Sequence, residues 1–357
     1  MMKGIELFFK NIFLRILLIL YRAPKSESKL NLTAESKILF IRLNRIGDAL
    51  VTTPLLSAVK NKSECIIHVL ADKKNHFVFQ NNSDIEKVIV FEKGFSGINK
   101  FRKLVKSEQY DVIVDLHDDV STTVSFLAAL SGIRHRLALK KENYKIYTDT
   151  IEKLNPSKFH VIDRLLVLTK ILNIDIENFD TNVVYQPKTD SVDAVEKYLL
   201  SLFKNKNYLV GINISAGSDA RFWGVERFKK VVNSLKKYNA SLILISAEKD
   251  LDYAEQISQN EIPVFCDPDF DRFAALVSKL DFLFTPDTSI IHLASAYNVP
   301  VFGLYVKYNT DDVIWYPYKS EYESVITTEP NFDNLNYEDA ERKFLIFFEK
   351  QFDKKNT

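Results

Sequence analysis

The chain has 357 residues, which is too long for one hydrophobic core and suits two domains of about 150 residues each. Its 46% hydrophobic and 27% charged residues are typical of a folded globular protein and exclude a disordered chain. Its two cysteines, Cys65 and Cys266, lie in apolar runs, which indicates buried thiols in a reducing compartment, without a disulfide framework or a zinc site.

Charge is distributed unevenly along the chain, although the net charge is only +1. Residues 1–180 contain 28 Lys and Arg against 21 Asp and Glu, whereas residues 181–357 contain 20 against 26. A basic first half favours an acidic partner through long-range attraction, although a solvated surface without a partner gives the same count. We expect that partner not to be a nucleic acid.

The N-terminal segment is apolar but interrupted by charges. Residues 5–20 read IELFFKNIFLRILLIL, and a helix of that length rises about 24 Å, less than a hydrocarbon core of about 30 Å. One broad helical face carries Lys3, Lys10, Asn11, Arg15 and Arg22. The pattern predicts that residues 1–25 form an amphipathic helix in a membrane interface, placing the chain at the inner, cytoplasmic face of the membrane. The alternative is a terminal helix docked on the protein's own core.

From residue 37 onward, strand patterns alternate with helical patterns, which predicts parallel sheets covered on both faces. We expect one Rossmann-like domain over residues 36–185 and, after a linker near 174–206, a second over 205–330. Residues 139–160 are predicted to be an excursion loop, and a final helix over 336–352 to pack back on the N-terminal domain. Strands are predicted at 37–43, 65–71, 110–116, 208–214, 241–247, 262–266, 281–284 and 301–305.

The segment RLNRIGDALVTTP, residues 42–54, places Asp48 between a strand and the following helix. A lone Gly47 is not a dinucleotide-binding fingerprint, which argues against an oxidoreductase. Asp is a favoured helix N-cap, so Asp48 has a structural interpretation. Its functional interpretation is a general base that takes the proton of an attacking hydroxyl. Pro54 is expected to interrupt the helix.

Three segments of the second half carry groups suited to a nucleoside diphosphate. A loop of small residues precedes Arg221, whose guanidinium suits bidentate phosphate contacts. Glu248, at a predicted strand end, either binds ribose hydroxyls or caps a helix. A polar trio then opens a helix whose first amides suit a diphosphate, with His292 on its surface. Two Asp-x-Asp pairs, at 250/252 and 267/269, resemble a metal-binding motif that arises easily by chance.

In this order and spacing, the segments resemble glycosyltransferase family 9, the ADP-heptose:lipopolysaccharide heptosyltransferases, over about residues 37–318. The family's IGD and TTP steps are similar to residues 46–48 and 52–54. Its donor loop, with Lys or Arg shortly before Trp, is similar to Arg221 and Trp223. Its last signature matches Asp287, Thr288, His292, Leu293 and Ala294.

The resemblance implies an α/β GT-B fold, with two Rossmann-like domains facing each other across a cleft, and inverting sugar transfer without a metal or cofactor. It implies that Asp48 is the catalytic base and that the donor is a nucleotide-sugar, expected to be ADP-heptose. The implied donor-binding residues are Ser215, Gly217, Arg221, Glu248, Asp287, Thr288, Ser289 and His292. An anionic glycolipid acceptor is implied to contact Asn44, His117, Arg134, Arg136 and Lys140, with Lys141 beside them.

Three departures from the family pattern bear on the substrates. Ser289 stands where the family usually has Gly, Val306 and Lys307 replace a Gly-Pro step, and His117 stands where Gln is commoner. One alternative is therefore the same fold and reaction with a different nucleotide-sugar donor or a surface-polysaccharide acceptor. A second alternative is a non-catalytic protein that binds a sugar nucleotide.

Overall fold

The computed structural model of the chain describes residues 12–23, 30–203 and 208–356. The chain forms two compact units that divide between Val184 and Tyr185. Each unit is built on a six-stranded sheet whose neighbouring strands are all parallel. The predicted α/β class is confirmed, and the division falls inside the predicted linker.

The sheet of the first unit has the strand order β3-β2-β1-β4-β5-β6. Buried aliphatic side chains fill its central strands, as expected for strands covered on both faces. The strands are β1 (Lys37–Arg42), β2 (Ile66–Asp72), β3 (Lys87–Phe91), β4 (Val112–Asp115), β5 (His135–Leu139) and β6 (Asp149–Ile151). The helices are α1 (residues 12–20), α2 (Ile46–Leu50), α3 (Thr53–Ser63), α4 (Phe77–Gln80), α5 (Phe95–Glu108), α6 (Thr122–Leu130), α7 (Val161–Leu166) and α8 (Leu168–Ile171), with a 3-10 turn at Tyr144–Ile146.

The sheet of the second unit has the strand order β12-β11-β10-β7-β8-β9. Its strands are β7 (Tyr208–Asn213), β8 (Ala240–Ile245), β9 (Val264–Phe265), β10 (Phe282–Pro286), β11 (Val301–Val306) and β12 (Tyr322–Thr327). Its helices are α9 (Thr189–Leu202), α10 (Val225–Leu235), α11 (Leu251–Ser258), α12 (Phe270–Val277), α13 (Ile290–Ala296) and α14 (Tyr337–Asn356), with 3-10 turns at Asp219–Arg221 and Glu248–Asp250.

The two sheets share one topology. When β7 is counted as the first strand of its unit, both strand orders read 3-2-1-4-5-6, which is the order of a doubly wound nucleotide-binding sheet. The order reverses between β1 and β4 in the first unit, and between β7 and β10 in the second. Ligands of such sheets bind at this reversal, beyond the carboxyl ends of the strands. A ligand-binding site is therefore expected among the residues that follow these four strands.

The predicted strands are all present, with ends shifted by at most two residues, and Pro54 follows the break between α2 and α3, as predicted. The predicted excursion loop at 139–160 is wrong, because it contains β6 and a 3-10 turn. Strand β5 immediately before it was also missed. His135 and Arg136 break its apolar pattern, yet both side chains are buried.

Helix α1 docks on the core of the first unit through one of its faces. Leu14 and Leu17 are buried in a cluster with the small and aromatic side chains of α6, β5 and the 3-10 turn. Leu18 is half-buried beside this cluster, and four other large apolar side chains of α1 are exposed: Phe13 by 54%, Ile16 by 45%, Ile19 by 82% and Leu20 by 80%. Lys3, Lys10 and Asn11 of the predicted polar face lie outside the described residues. Among the helices that the structure describes, none combines the length and the apolarity needed to cross a membrane.

The C-terminal helix, predicted over residues 336–352, packs on the sheet of the second unit. Helix α14 belongs to the second unit, where Phe344 and Phe348 are fully buried. Their rings contact Phe282 of β10, and Phe344 also contacts Phe302 of β11. The aromatic spacing of α14 matches the face of the second sheet, so its hydrophobic surface is buried within its own unit.

Replacing Phe344 by Ala should therefore destabilise the chain. Deleting a fully buried phenylalanine ring typically costs about 3–5 kcal/mol. Ile346 on the same helix is 65% exposed, so Ile346→Ala is the matched control and should change the free energy of unfolding by less than about 0.5 kcal/mol. Urea denaturation followed by tryptophan fluorescence measures both. Equal losses from the two variants would contradict the packing of α14.

Candidate active site

Asp48 lies in the first turn of α2, just beyond the carboxyl end of β1. The N-cap of α2 is Arg45, and no side chain caps this helix end. The structural interpretation of Asp48 as an N-cap is therefore wrong. Its carboxylate instead accepts hydrogen bonds through Oδ1, from Arg42 Nη2 at 2.9 Å and from Asn44 Nδ2 at 3.4 Å. Within the described part of the chain, Oδ2 has no hydrogen-bond partner.

Arg42, the last residue of β1, holds Asp48 in place. Its guanidinium is buried, and Nε donates to the backbone oxygen of Asp48 at 2.9 Å while Nη2 binds the carboxylate. Nη1 donates to the backbone oxygen of Leu116, which follows β4. Burial lowers the pKa of Arg42, and the nearby Asp48 carboxylate opposes that shift. One buried cation thus joins the ends of β1 and β4 at the switch point.

The loop between β1 and α2 is also held from the β2 side. Asn75 is fully buried, and its amide nitrogen donates to the backbone oxygens of Arg42 at 3.1 Å and Asn44 at 3.0 Å. Its side-chain oxygen accepts the backbone N–H of Asp72 at 2.9 Å. The side-chain nitrogen and oxygen of Asn75 thus both bind main-chain atoms and hold the backbone in place. Nothing in the local sequence around Asn75 indicates this, because its partners lie about 30 residues away.

A cavity of about 330 Å³ opens beside Asp48. Its charged lining is mainly basic, with Arg45, Lys74 and Lys93 against Asp48 and Asp72. Lys93 Nζ lies 3.3 Å from Asp72 Oδ2. This ion pair leaves Arg45 and Lys74 against Asp48 in the lining, so its net charge is positive. Sequence reasoning missed Lys74 and Lys93, which follow β2 and β3. Their only sequence signal is that they stand at strand ends.

The structure separates the predicted acceptor-binding residues into two groups. Asn44 is exposed and contacts Asp48, and Arg134 and Lys140 are also exposed. Lys140 forms an ion pair with Glu152. The prediction for Arg136 is not met: its buried guanidinium donates to the backbone oxygens of Ile146 and Ile133. A side chain committed to internal carbonyls is not available to an acceptor.

His117 and Lys141 are likewise internal, in a network around Asp115 at the end of β4. Asp115 Oδ1 lies 2.7 Å from His117 Nδ1, and Oδ2 accepts from Lys141 Nζ at 2.8 Å and from Tyr147 Oη at 2.6 Å. Burial alone would raise the pKa of Asp115, but the charges and hydrogen bonds of Lys141 and His117 together outweigh it and hold that pKa well below the usual range. Burial lowers the pKa of His117 and raises that of Tyr147.

In the second unit, Arg221 and Asp287 meet at the equivalent switch point. Arg221 follows β7 and Asp287 follows β10, and Nη1 of Arg221 lies 3.1 Å from Asp287 Oδ2 and 3.2 Å from its backbone oxygen. Burial raises the pKa of Asp287, and the Arg221 charge opposes this shift. The Arg221 side chain keeps 34% of its surface exposed. It can therefore exchange a protein oxygen for an anionic ligand.

The other predicted donor residues lie around the ends of β7 and β8. Ser215 Oγ accepts the backbone N–H of Ala247 at 2.8 Å, which joins the two loops. Gly217 is exposed, and no atom lies within 4 Å of the place where a Cβ would stand, so the loop is open above it. Glu248 is exposed in a 3-10 turn after β8, and its charge is close enough to raise the pKa of Cys266 further after the larger effect of burial.

Thr288 and Ser289 stand at the start of α13, but His292 does not lie on a free surface. Its ring is buried and lies 5.9 Å from that of Trp315. Trp223 is buried and its ring stacks on that of Phe284. Of the Asp-x-Asp pair at 267/269, Asp267 forms an ion pair with Arg272. Asp269 caps α12 by accepting the backbone N–H of Asp271. The described residues contain no group of three or more His, Cys, Asp or Glu placed to hold a metal ion.

Comparison with known proteins assigns this chain to a family. A model of glycosyltransferase family 9 (heptosyltransferase) matches residues 98–345. The chain belongs to this family. The match includes Arg221 and Asp287 and begins after Asp48, so the family assignment does not rest on Asp48.

Two curated relatives are heptosyltransferases. Lipopolysaccharide heptosyltransferase 3 of Escherichia coli is 24% identical over 295 residues, covering 77% of this chain and 84% of that protein. Lipopolysaccharide core heptosyltransferase OpsX of Haemophilus influenzae is 20% identical over 227 residues, covering 60% of this chain. The matched region spans 62% of OpsX, which is less than two thirds of that relative.

Solved structures show the same fold. A family 9 glycosyl transferase from Veillonella parvula superposes with a TM-score of 0.76 at 17% identity, covering 90% of this chain and 100% of that one. ADP-heptose LPS heptosyltransferase II of E. coli superposes with a TM-score of 0.70 at 16% identity, with the same coverage. The fold of this glycosyltransferase is therefore GT-B, as the resemblance implied.

Changing Arg42 to Lys should destabilise the first unit although the charge is kept. A lysine ammonium cannot reproduce the fork that joins the backbone oxygen of Leu116 to the backbone oxygen and Oδ1 of Asp48. Each lost hydrogen bond to a charged group costs about 1.5–3 kcal/mol. Arg45→Lys is the control, because Arg45 is exposed in the same loop. Thermal unfolding of both variants is the measurement. A melting temperature of Arg42→Lys equal to that of Arg45→Lys would refute the role of Arg42 in joining the ends of β1 and β4.

Proposed function

We propose that this family 9 enzyme transfers a heptose from ADP-heptose to a lipopolysaccharide-core-type acceptor, with inversion and with Asp48 as general base. The carrying observation is the asymmetric environment of the Asp48 carboxylate. Arg42 and Asn44 hold Oδ1, while Oδ2 is left unpaired beside a cavity with a basic lining. A carboxylate that is fixed at one oxygen and free at the other is suited to accept a proton.

In this mechanism Oδ2 of Asp48 takes the proton of the acceptor hydroxyl as its oxygen attacks the anomeric carbon. The new carbon–oxygen bond forms on the face opposite the nucleotide while the bond to the diphosphate breaks, so the configuration inverts. The leaving diphosphate carries the released electron pair as negative charge. Arg221, with its exposed guanidinium, is the cation that stabilises that charge in the second unit.

The basic lining of the cavity supports an anionic acceptor. Arg45, Lys74 and Lys93 surround the space into which an acceptor hydroxyl must enter to reach Asp48. Phosphate groups on a sugar or lipid core are the chemistry that such a lining attracts. This assigns acceptor recognition chiefly to these side chains, in place of the buried Arg136.

The donor residues support a nucleotide-sugar through one diphosphate cation, Arg221, and one exposed carboxylate, Glu248, suited to ribose hydroxyls. The departure at Ser289 leaves the sugar itself to experiment. Heptose transfer from ADP-heptose to truncated lipopolysaccharide cores is the direct assay, run beside hexoses linked to ADP, UDP and GDP. Transfer of a hexose only would support the alternative donor, and binding without transfer would support a non-catalytic protein.

Asp48→Asn should lower kcat by about 10²–10⁴-fold, since that is the usual contribution of a general base. The amide oxygen can still accept from Arg42, so the loop should keep its geometry, while loss of the charge that compensates the buried guanidinium should lower the melting temperature. Asp119→Asn is the control, because its carboxylate in the same unit is fully exposed, and it should leave kcat unchanged. Rates are compared in the transfer assay at a temperature well below the melting temperature of each variant. Near-normal turnover by a folded Asp48→Asn variant would remove Asp48 from the mechanism.

We also propose that the exposed face of α1 contacts an anionic membrane surface at the inner face of the cytoplasmic membrane. Phe13, Ile16 and Leu20 follow a spacing that places them on one helical face, and Ile19 lies beside them. Exposed Arg15 and Arg22 add positive charge to this segment. Apolar side chains next to cations are the pattern by which helices lie in a lipid interface.

A double variant, Ile19→Ser with Leu20→Ser, should lose binding to vesicles of phosphatidylcholine and phosphatidylglycerol. Both side chains are at least 80% exposed, so folding should be unaffected. Leu200→Ser is the control, since Leu200 is an exposed leucine of the second unit. Co-sedimentation with the vesicles is the measurement. Retained binding by the double variant, or equal loss in the control, would exclude α1 as the contact.

A further inference from the structure

His117 makes a second contact that its network with Asp115 does not explain. Its Nε2 accepts the backbone N–H of Leu43, the first residue after β1, at 3.2 Å. The imidazole is only 2% exposed, and it lies between the end of β4 and the loop that leads to Asp48. An acceptor role for Nε2 requires that this nitrogen carry no proton, so the proton of a neutral ring lies on Nδ1 and is donated to Asp115.

Burial and the nearby cations favour this neutral form, against the attraction of Asp115. Lys141 already compensates the Asp115 carboxylate, and Arg42 adds further positive charge nearby. Tyr147 donates its hydroxyl proton to Asp115 as well. Burial lowers the pKa of His117 from its ordinary value of 6.5, against the attraction of Asp115. A neutral, fully hydrogen-bonded imidazole has no capacity left for an acceptor substrate.

We propose that His117 is a positioning residue for Asp48, which it serves by fixing the backbone at Leu43. The inference rests on the proposed role of Asp48 as the base. The Leu43 amide lies between Arg42, which holds the carboxylate, and Asn44, which also contacts it. Without the His117 acceptor, the backbone at Leu43 loses its own anchor on the β4 side, while Arg42 still reaches Leu116 and Asn75 still holds the loop on the β2 side.

Two amide substitutions separate the two bonds of the imidazole. In His117→Gln the amide group reaches the position of Nε2 and can accept the Leu43 N–H. In His117→Asn the amide stands near the position of Nδ1, so it can donate to Asp115 but cannot reach Leu43. We expect His117→Gln to keep kcat within about 3-fold, and His117→Asn to lower kcat at least 10-fold. The KM values for donor and acceptor should stay within about 3-fold in both, because neither substrate contacts His117.

The two variants are assayed at a temperature well below the melting temperature of each. Equal kcat for His117→Asn and the wild type, or an equal loss in both variants, would overturn the positioning role. A loss seen in KM instead of kcat would also overturn it and would make His117 a substrate ligand. Asp48→Asn is measured alongside: if that variant is active, the proposed base fails, whereas an inactive Asp48→Asn with a fully active His117→Asn refutes only the positioning role.

If His117→Asn does not fold, the pH profile of His117→Gln decides. Protonation of the wild-type imidazole would place an N–H against the Leu43 N–H, and because the pKa of His117 is lowered, this happens below pH 6.5. Asp48, Asp115, Lys141, Tyr147 and Arg42 are the same in both proteins. The wild type should therefore show a fall in kcat on acidification that His117→Gln lacks, and superimposable profiles would contradict the proposal.

Discussion

The buried guanidinium of Arg42 is the constraint on which the first unit's candidate site depends. A cation removed from water costs several kcal/mol unless charge and hydrogen bonds compensate it. Asp48 supplies the compensating charge, and the backbone oxygens of Asp48 and Leu116 supply the remaining acceptors. The position of Asp48 is therefore set by the sheet, through the last residue of β1, and only secondarily by the short helix in which it lies.

The second unit uses the same pair of chemical groups differently. Arg221 and Asp287 follow the first and fourth strands of their sheet, whereas Arg42 and Asp48 both stand at the end of the first strand of theirs. The side chains of Arg221 and Asp287 are 34% and 23% exposed, against 1% and 17% for Arg42 and Asp48. Water and counterions weaken an exposed pair and leave it able to exchange partners. The same topology thus produces a fixed carboxylate in one unit and an exchangeable cation in the other, which suits a base and a diphosphate ligand respectively.

The features that the sequence predicted well are those that depend on neighbouring residues. Apolar runs located eight of the twelve described strands to within two residues. Because parallel strands end at one edge of a sheet, Asp48, Arg221 and Asp287 were correctly placed after strand ends. The features that it missed depend on partners far along the chain. Arg42 meets Leu116 and Leu43 meets His117 across 74 residues each.

Strand β5 shows that a basic residue of the sequence need not lie on a basic surface. Its arginine, counted as part of a basic surface, is buried because the backbone oxygens of Ile133 and Ile146 satisfy its guanidinium. Lys74 and Lys93, which do line the cavity, stand in no basic cluster of the sequence. Charge along the chain therefore does not identify a charged site. The order of strands decides which cations come together.

Helix α1 poses a similar problem, since hydrophobicity alone does not separate a docked helix from a membrane-bound one. A helix that is apolar around most of its circumference requires apolar surroundings on more than one side. Leu14 and Leu17 find such surroundings in the first unit, whereas Ile19 and Leu20 do not. Docking and the proposed membrane contact are thus compatible, because docking fixes one face of the helix and leaves the other face exposed. The protein surface orients the apolar face, and a lipid interface beside Arg15 is the medium suited to cover it.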